Sequence, residues 1–252
     1  MKKMNEIDFK SKFNVIAGPC AVESYDSLFE IASFLQGLGV QIIRGGSFKL
    51  RTSVDSFQGL GEEAIRYLVQ VCQELGLFSL TEVVELRDLH SVFQDVDVLM
   101  VGARNMYNYP LLKELSMVDK PIILKRAMSA TIKEWLSAAE YLQANGNDNI
   151  ILCERGIRTF ETATRNTLDL SAVPIVKSMS DYPIIVDPSH STGNSEFVPS
   201  MSMAAVAAGA DGLIIEIHKE PEKSLSDAKQ LLDFESFEDL YKAVNSLKNY
   251  LG

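Results

Sequence analysis

The chain has 252 residues, 46% hydrophobic and 23% charged, with a formal net charge of −10. The acidic balance excludes a nucleic-acid surface built on clustered cations, but it leaves small anionic ligands open, because net charge is global and a cleft is local. No run reaches the roughly 18 apolar residues of a membrane span, and "MKKMNEIDFK" lacks the apolar segment of a signal peptide. Three widely spaced cysteines, Cys20, Cys72 and Cys153, argue against a disulfide framework and for a reducing cytoplasm.

Residues 1–13 form a short N-terminal extension, long enough for an arm or a small β element across one end of a barrel. From residue 14 the chain alternates between short apolar runs and amphipathic stretches. "NVIAGPCAV" (14–22) leads to the helical pattern "SLFEIASFLQGLG" (27–39), and "VQIIRGG" (40–46) to "EEAIRYLVQVCQELG" (62–76). "LFSLTEVV" (77–84) is followed by "ELRDLHSVFQ" (85–94), "DVLMVGA" (97–103) by "YPLLKEL" (109–115), and "PIILKRA" (121–127) by "TIKEWLSAAEYLQANG" (131–146). "NIILCER" (149–155) precedes "LDLSAVPIVKSM" (168–179), "PIIVDPSH" (183–190) precedes "VPSMSMAAVAAGA" (198–210), and "DGLIIEIH" (211–218) precedes "FEDLYKAVNSLKNYLG" (237–252). The Val-, Ile- and Leu-rich runs suit parallel strands covered on both faces. Gly39, Gly76 and Gly146 are placed as helix C-caps.

Eight strand–helix units without a linker predict an α/β protein, a single (β/α)8 TIM barrel over residues 14–252. An open doubly wound sheet is the runner-up, but no glycine-rich dinucleotide loop follows the first run.

In such a barrel the chemistry collects at the C-terminal ends of the strands. Those ends carry Cys20, then Arg44 with Lys49 and Arg51, Glu82, Arg104, Lys125 with Arg126, Glu154 with Arg155, Asp187 with His190, and Glu216 with His218. Two subsets separate. Cys20, His190 and Glu216, with Asp227 in the following loop, offer thiolate, imidazole and carboxylate donors for a divalent transition metal. Their spacing carries no metal signature, so a buried thiol and a hydrogen-bonded loop histidine are the plain alternative. Arg44, Lys49, Arg51, Arg104, Lys125, Arg155 and Lys177 imply anionic ligands such as phosphates and a carboxylate; the alternative is ion pairing with Glu82, Glu154 and Asp187. Cys72, Cys153 and Trp135 read as core, His90 as a helical surface residue, and His218 as a neighbour of the metal set.

The motifs "AGPCAVES", "RTSVDSFQGLGEE", "VGARNM", "LKRAMSATIKEW", "ILCERGIRTFE", "TRNTLDLSAVPIVK", "VDPSHSTG" and "ADGLIIEIHKEPEKSLSDAKQ" run collinearly from about residue 14 to the end. Together they resemble the type Iβ 3-deoxy-D-arabino-heptulosonate 7-phosphate (DAHP) synthases. The resemblance implies condensation of phosphoenolpyruvate with erythrose 4-phosphate, the first step of the shikimate pathway to aromatic amino acids. It implies a divalent metal (Mn2+, Fe2+, Co2+ or Zn2+) on Cys20, His190, Glu216 and Asp227. It further implies phosphoenolpyruvate on Arg104, Lys125 and Arg155, and Lys49 beside the reacting carbons. The aldose phosphate falls to Lys49, Arg51, Thr52 and Ser53, with Arg44 in the same cationic set, and the assembly to a homotetramer. The chain departs from the family pattern at Leu50 and Val54, where prolines are usual. It departs again at Ala127 and at Asn194, Ser195 and Glu196. The sister family that makes an eight-carbon sugar acid from arabinose 5-phosphate, and a non-catalytic metal-binding barrel, are the alternatives. Feedback inhibition through an appended domain is not expected.

Overall fold

The computed structural model describes residues 7–48, 57–84 and 93–251. Eight parallel strands close on themselves in chain order: β1 (Asn14–Gly18), β2 (Ile42–Arg44), β3 (Phe78–Val83), β4 (Val98–Val101), β5 (Ile122–Lys125), β6 (Ile150–Glu154), β7 (Ile184–Val186) and β8 (Gly212–Glu216). Closure comes from β1 pairing with β8 across five residues, Asn14↔Gly212 to Gly18↔Glu216. The helices are α1 (Tyr25–Leu38), α2 (Glu62–Leu75), α3 (Tyr109–Leu115), α4 (Ile132–Gln143), α5 (Ala172–Met179), α6 (Pro188–Thr192), α7 (Val198–Ala207) and α8 (Phe234–Leu251). The predicted helix over 85–94 lies, apart from its last two residues, outside the described ones. No helix among the described residues is long and apolar enough to cross a membrane.

Alternation along the strands divides the apolar residues into two cores. Ile16, Ile42, Leu80, Val98, Met100, Ile123, Ile151, Cys153, Ile185 and Ile214 fill the barrel. Their neighbours Ala17, Ile43, Leu99, Leu124, Leu152, Val186 and Ile215 pack outward under the helices with Leu28, Ile31, Leu68 and Trp135. Both faces are dry, which is why each strand reads as a continuous apolar run. Counting two residues on from Ile42, Leu80, Ile123, Cys153, Ile185 and Ile214 gives Arg44, Glu82, Lys125, Arg155, Asp187 and Glu216. The period that fills the barrel with hydrocarbon therefore sets a charged layer above it.

At the opposite end Phe9 is buried in the inner core with Ile7 packed beside it. Asp8 holds this turn by accepting the Lys10 and Ser11 N–H groups at 2.8 and 3.0 Å. Residues 7–13 form an arm, without a strand. Gly39 and Gly76 end α1 and α2 at φ 91° and 70°. The third expected glycine cap differs: α4 ends on Ala144 in the right-handed conformation, and Gly146 turns the chain at φ 97°.

Gly18 is the tightest point of β1. Its φ is 152°, and a Cβ there would lie 2.0 Å from the Arg44 carbonyl oxygen. Neither backbone can yield without shifting the β1–β2 ladder. Gly18→Ala is expected to lower stability by about 2 kcal/mol or more, measured as a fall in the urea midpoint at unchanged m. An unchanged midpoint would contradict this packing.

Candidate functional site

The charged layer floors a cavity of about 260 Å³ at the C-terminal mouth of the barrel, lined by Lys125, Arg155, His190, Asp227, Glu82 and Arg104, together with Arg158 and Arg165. Gly102 keeps β4 close to this layer, since a Cβ there would meet Glu82 Oε1 at 1.9 Å.

One side of the site is a donor cluster. Cys20 Sγ lies 3.0 Å from Ser226 Oγ and 3.2 Å from Asp227 Oδ2. Single donor atoms of Cys20, Glu216 and Asp227 all fall within 4.8 Å of one another, and these three form the one such group among the described residues. His190 joins from α6, its Nε2 3.4 Å from Glu216 Oε1. Asp227 is the one non-glycine described residue with left-handed backbone, at φ 52°, a conformation aspartate tolerates and that recurs where a site holds its side chain in place. The set mixes thiol, imidazole and carboxylates, a chemistry that fits a divalent transition metal.

Hydrogen bonds orient these donors. Asp187 caps α6 by accepting the His190 N–H at 2.9 Å; its Oδ2 lies 2.8 Å from His190 Nδ1 without an aligned hydrogen bond, and Nε2 faces Glu216. Burial lowers the proton affinity of His190 more than Asp187 and Glu216 raise it, keeping the imidazole neutral and its lone pair available. Burial pushes the Asp187 carboxyl up, but His190 and Lys125 outweigh it and hold it well below the usual range. Glu216 is gripped by the Arg44 guanidinium and by the Gln230 side-chain amide. Arg44 also donates to the Cys20 carbonyl at 3.2 Å, and its Nε has no partner.

The other side is cationic. Lys125 Nζ lies 2.7 Å from Asp187 Oδ2. Among the described residues Arg155, 6% exposed, donates only to backbone carbonyls, His190 O at 3.1 Å and Gly156 O at 3.4 Å. Burial lowers its proton affinity despite Asp187 nearby, and an anion arriving in the cavity meets a guanidinium that no described carboxylate hydrogen-bonds. Arg165 reaches Gln230 Oε1 at 2.9 Å and stands 4.0 Å from Asp227 Oδ1.

Cys20, His190, Glu216, Asp227, Arg104, Lys125 and Arg155 are thus brought to one mouth. Arg44 sits beneath the cavity, 3% exposed, against Glu216. Lys49, Arg51, Thr52 and Ser53 lie outside the described residues. Lys177 does not belong to the cationic set: α5 runs antiparallel to the strands, so its last turn lies at the other end of the barrel, where Lys177 pairs with Asp211 at 2.6 Å. Asp211 there accepts the Ile184 N–H at the start of β7. His218 turns away from the donor cluster to the Glu220 carbonyl and Glu23. Arg158 and Arg165 were not singled out in the sequence, although the run "ERGIRTFETATRN" holds three cations after β6 counting Arg155. The Ile157↔Thr167 bridge and the Arg165 N–H to Thr192 O bond fold this loop over the mouth.

The model of the DAHP synthetase I family matches residues 7–252. A phospho-2-dehydro-3-deoxyheptonate aldolase of Thermotoga maritima is 51% identical over 240 residues, covering 95% of this chain and 71% of that protein. A 2-dehydro-3-deoxyphosphooctonate aldolase of Syntrophobacter fumaroxidans is 31% identical, covering 93% of this chain and 86% of its own. Among solved structures, a DAHP synthase of Thermotoga maritima superposes with a TM-score of 0.93 at 49% identity, covering 97% of this chain and 73% of that one. A truncated form of 3-deoxy-D-arabino-heptulosonate 7-phosphate synthase from that organism gives 0.90 at 47% identity, covering 97% and 92%. The chain belongs to the DAHP synthetase I family.

Proposed function

We infer that this protein is a DAHP synthase, condensing phosphoenolpyruvate with erythrose 4-phosphate and water to 3-deoxy-D-arabino-heptulosonate 7-phosphate and phosphate. The observation that carries the reading is a cation-lined cavity bordered by a Cys, His, Glu and Asp donor set, in a chain 51% identical to a phospho-2-dehydro-3-deoxyheptonate aldolase. The eight-carbon alternative is weaker, since the matching relatives of that name are only 30–31% identical.

Cys20, His190, Glu216 and Asp227 are the residues that would hold a divalent metal. When bound, such an ion supplies Lewis acidity toward the aldehyde oxygen of erythrose 4-phosphate. The protein's own groups do the rest. Arg104, Lys125 and Arg155 bind phosphoenolpyruvate, and their charge offsets the repulsion between two phosphorylated substrates. Arg158 and Arg165 extend that field over the mouth. By the family resemblance Lys49 belongs beside the reacting carbons, where its ammonium would stabilise or protonate the new hydroxyl. The enol carbon attacks the aldehyde, water adds at the cationic C2, and the phosphohemiketal expels phosphate. The family resemblance also supports a cytoplasmic homotetramer, which sedimentation of the purified protein tests.

The deciding assay follows phosphoenolpyruvate consumption with erythrose 4-phosphate and with arabinose 5-phosphate. Efficient turnover of the four-carbon sugar and poor turnover of the five-carbon one is expected. No turnover with either would leave a binding barrel. Arg51→Ala should raise KM for erythrose 4-phosphate roughly ten- to a hundred-fold, the loss of a charge-assisted phosphate contact of about 1.5–3 kcal/mol. KM for phosphoenolpyruvate should barely move. A variant defective only toward phosphoenolpyruvate would reassign Arg51.

A further inference from the structure

Lys125 and His190 converge on one oxygen atom. Lys125 Nζ lies 2.7 Å from Asp187 Oδ2, and His190 Nδ1 lies 2.8 Å from that same oxygen. The other oxygen, Oδ1, is occupied by the His190 backbone N–H at 2.9 Å. Asp187 is 1% exposed, so bulk water does not dilute the competition. Lys125 thus holds the buried carboxylate oxygen by a hydrogen bond, while His190 Nδ1, equally close, makes no aligned hydrogen bond to it, and its far nitrogen faces Glu216 at 3.4 Å.

The chemistry of such sharing has a direction. A carboxylate on Nδ1–H fixes the tautomer and strengthens Nε2 as a metal donor. A lysine drawing on the same oxygen weakens that effect. An anion in the cavity gives Lys125 a second partner of the same charge as Asp187, and each hydrogen bond it makes there relaxes the hold on Oδ2.

We propose that Asp187 is a positioning residue that links the two halves of the site, so that phosphoenolpyruvate engaging Lys125 releases Asp187 Oδ2 to His190 and tightens metal binding. Linkage is reciprocal, so bound metal tightens phosphoenolpyruvate by the same factor. The proposal rests on the functional reading above and adds to it the order in which the site assembles: either ligand prepares the site for the other. Gln230, between Arg165 and Glu216, lies on the far side of the donor set and does not touch this oxygen.

The test measures Mn2+ affinity of the whole protein by calorimetry, with and without saturating phosphoenolpyruvate and without erythrose 4-phosphate, so that no turnover occurs. In the wild type, phosphoenolpyruvate should tighten Mn2+ by about fivefold or more. Asp187→Asn keeps the shape but removes the charge; it should weaken Mn2+ roughly ten- to a hundred-fold and reduce the coupling. Direct attraction between bound anion and bound cation is present in both proteins, so the difference in coupling belongs to Asp187. Equal coupling in the two overturns the proposal. A second measurement needs no variant: in the metal-free protein, which has three histidines, adding phosphoenolpyruvate should move the His190 Nδ1–H resonance downfield. An unmoved resonance with phosphoenolpyruvate bound also overturns it. If phosphoenolpyruvate does not bind at all, the functional reading fails and this link falls with it; if it binds and leaves Mn2+ affinity unchanged, only the link fails.

Discussion

Exhaustive chelation is expected to bring turnover of phosphoenolpyruvate and erythrose 4-phosphate down to background. Mn2+, Fe2+, Co2+ or Zn2+ should restore it to different degrees. A thiol, an imidazole and two carboxylates are delivered to one mouth by the loop after β1, α6, β8 and the loop after β8. A purely structural role does not account for placing Asp227 in left-handed backbone beside a buried cysteine. Cys20→Ala should behave like the chelated protein, because the thiolate is the softest donor of the set and the neighbouring Ser226 hydroxyl is a poor substitute for it. Peroxide should inactivate the metal-free protein faster than the loaded one, since coordination protects the thiolate. Full activity after chelation, or in Cys20→Ala, would falsify the assignment.

The second large effect concerns stability. Arg126 faces outward from the top of β5, where its guanidinium meets Glu154 and Asp169, each at 2.9 Å, and the Ala130 carbonyl at 3.0 Å. Glu154 is 0% exposed, and among the described residues its carboxylate, besides Arg126, accepts only the Gly156 N–H at 2.7 Å. Arg126→Leu strands that carboxylate in hydrocarbon. Removing one partner of a buried pair costs about 3–5 kcal/mol, a fall in Tm of roughly 6–20 °C for a domain of this size. The pH dependence follows from the direction of the Glu154 shift. Burial already raises its pKa above the ordinary carboxylate value, with Arg126 opposing; without Arg126 it rises further. A carboxyl whose folded pKa exceeds its unfolded one binds more protons when folded, so stability falls as pH rises through that window. Arg126→Leu should therefore be less destabilised at pH 5 than at pH 8, measured by thermal melts at both. A penalty independent of pH would show that Glu154 is not the group left uncompensated. Because Gly156 hangs from Glu154 and Arg155 lies between them, the variant should also bind phosphoenolpyruvate more weakly.

The barrel was legible because a parallel strand buried on both faces must read as an apolar run, and the eight runs of the sequence map one to one onto β1–β8. The ring of charges was legible for the same reason: the first polar residue to break an inward-facing period marks the mouth. What the periodicity does not carry is direction. Lys177 looked like a member of the ring because it precedes β7 closely, yet α5 has by then carried the chain to the far end. Arg158 and Arg165 sit in an irregular loop with neither period, and long-range backbone contacts, the Ile157↔Thr167 bridge and the Arg165 N–H to Thr192 O bond, bring them over the cavity. Arg44 has the right phase, but its depth, pressed against Glu216, is a tertiary fact. The five-residue helix α6 is shorter than any pattern that sequence alone resolves, though its Asp187 cap and its Gly193 stop, at φ 66°, stand in the motif.

Closure of the barrel by β1 on β8 places the seam between the first strand made and the last. Cys20 follows one lip of that seam and Glu216 ends the other, with Ser226 meeting Cys20 across 206 residues of sequence. A nascent chain that has just passed β6 already carries Lys125 and Arg155, but of the four donors it holds Cys20 alone, beside an open edge. An ion held by these residues would work as a clasp, closing only on a finished molecule and drawing β1 and β8 together. At a hundred times its dissociation constant it would add about 2.7 kcal/mol to the closed form. The supply of metal in the cell would then decide how long the finished barrel lasts, quite apart from how fast it works.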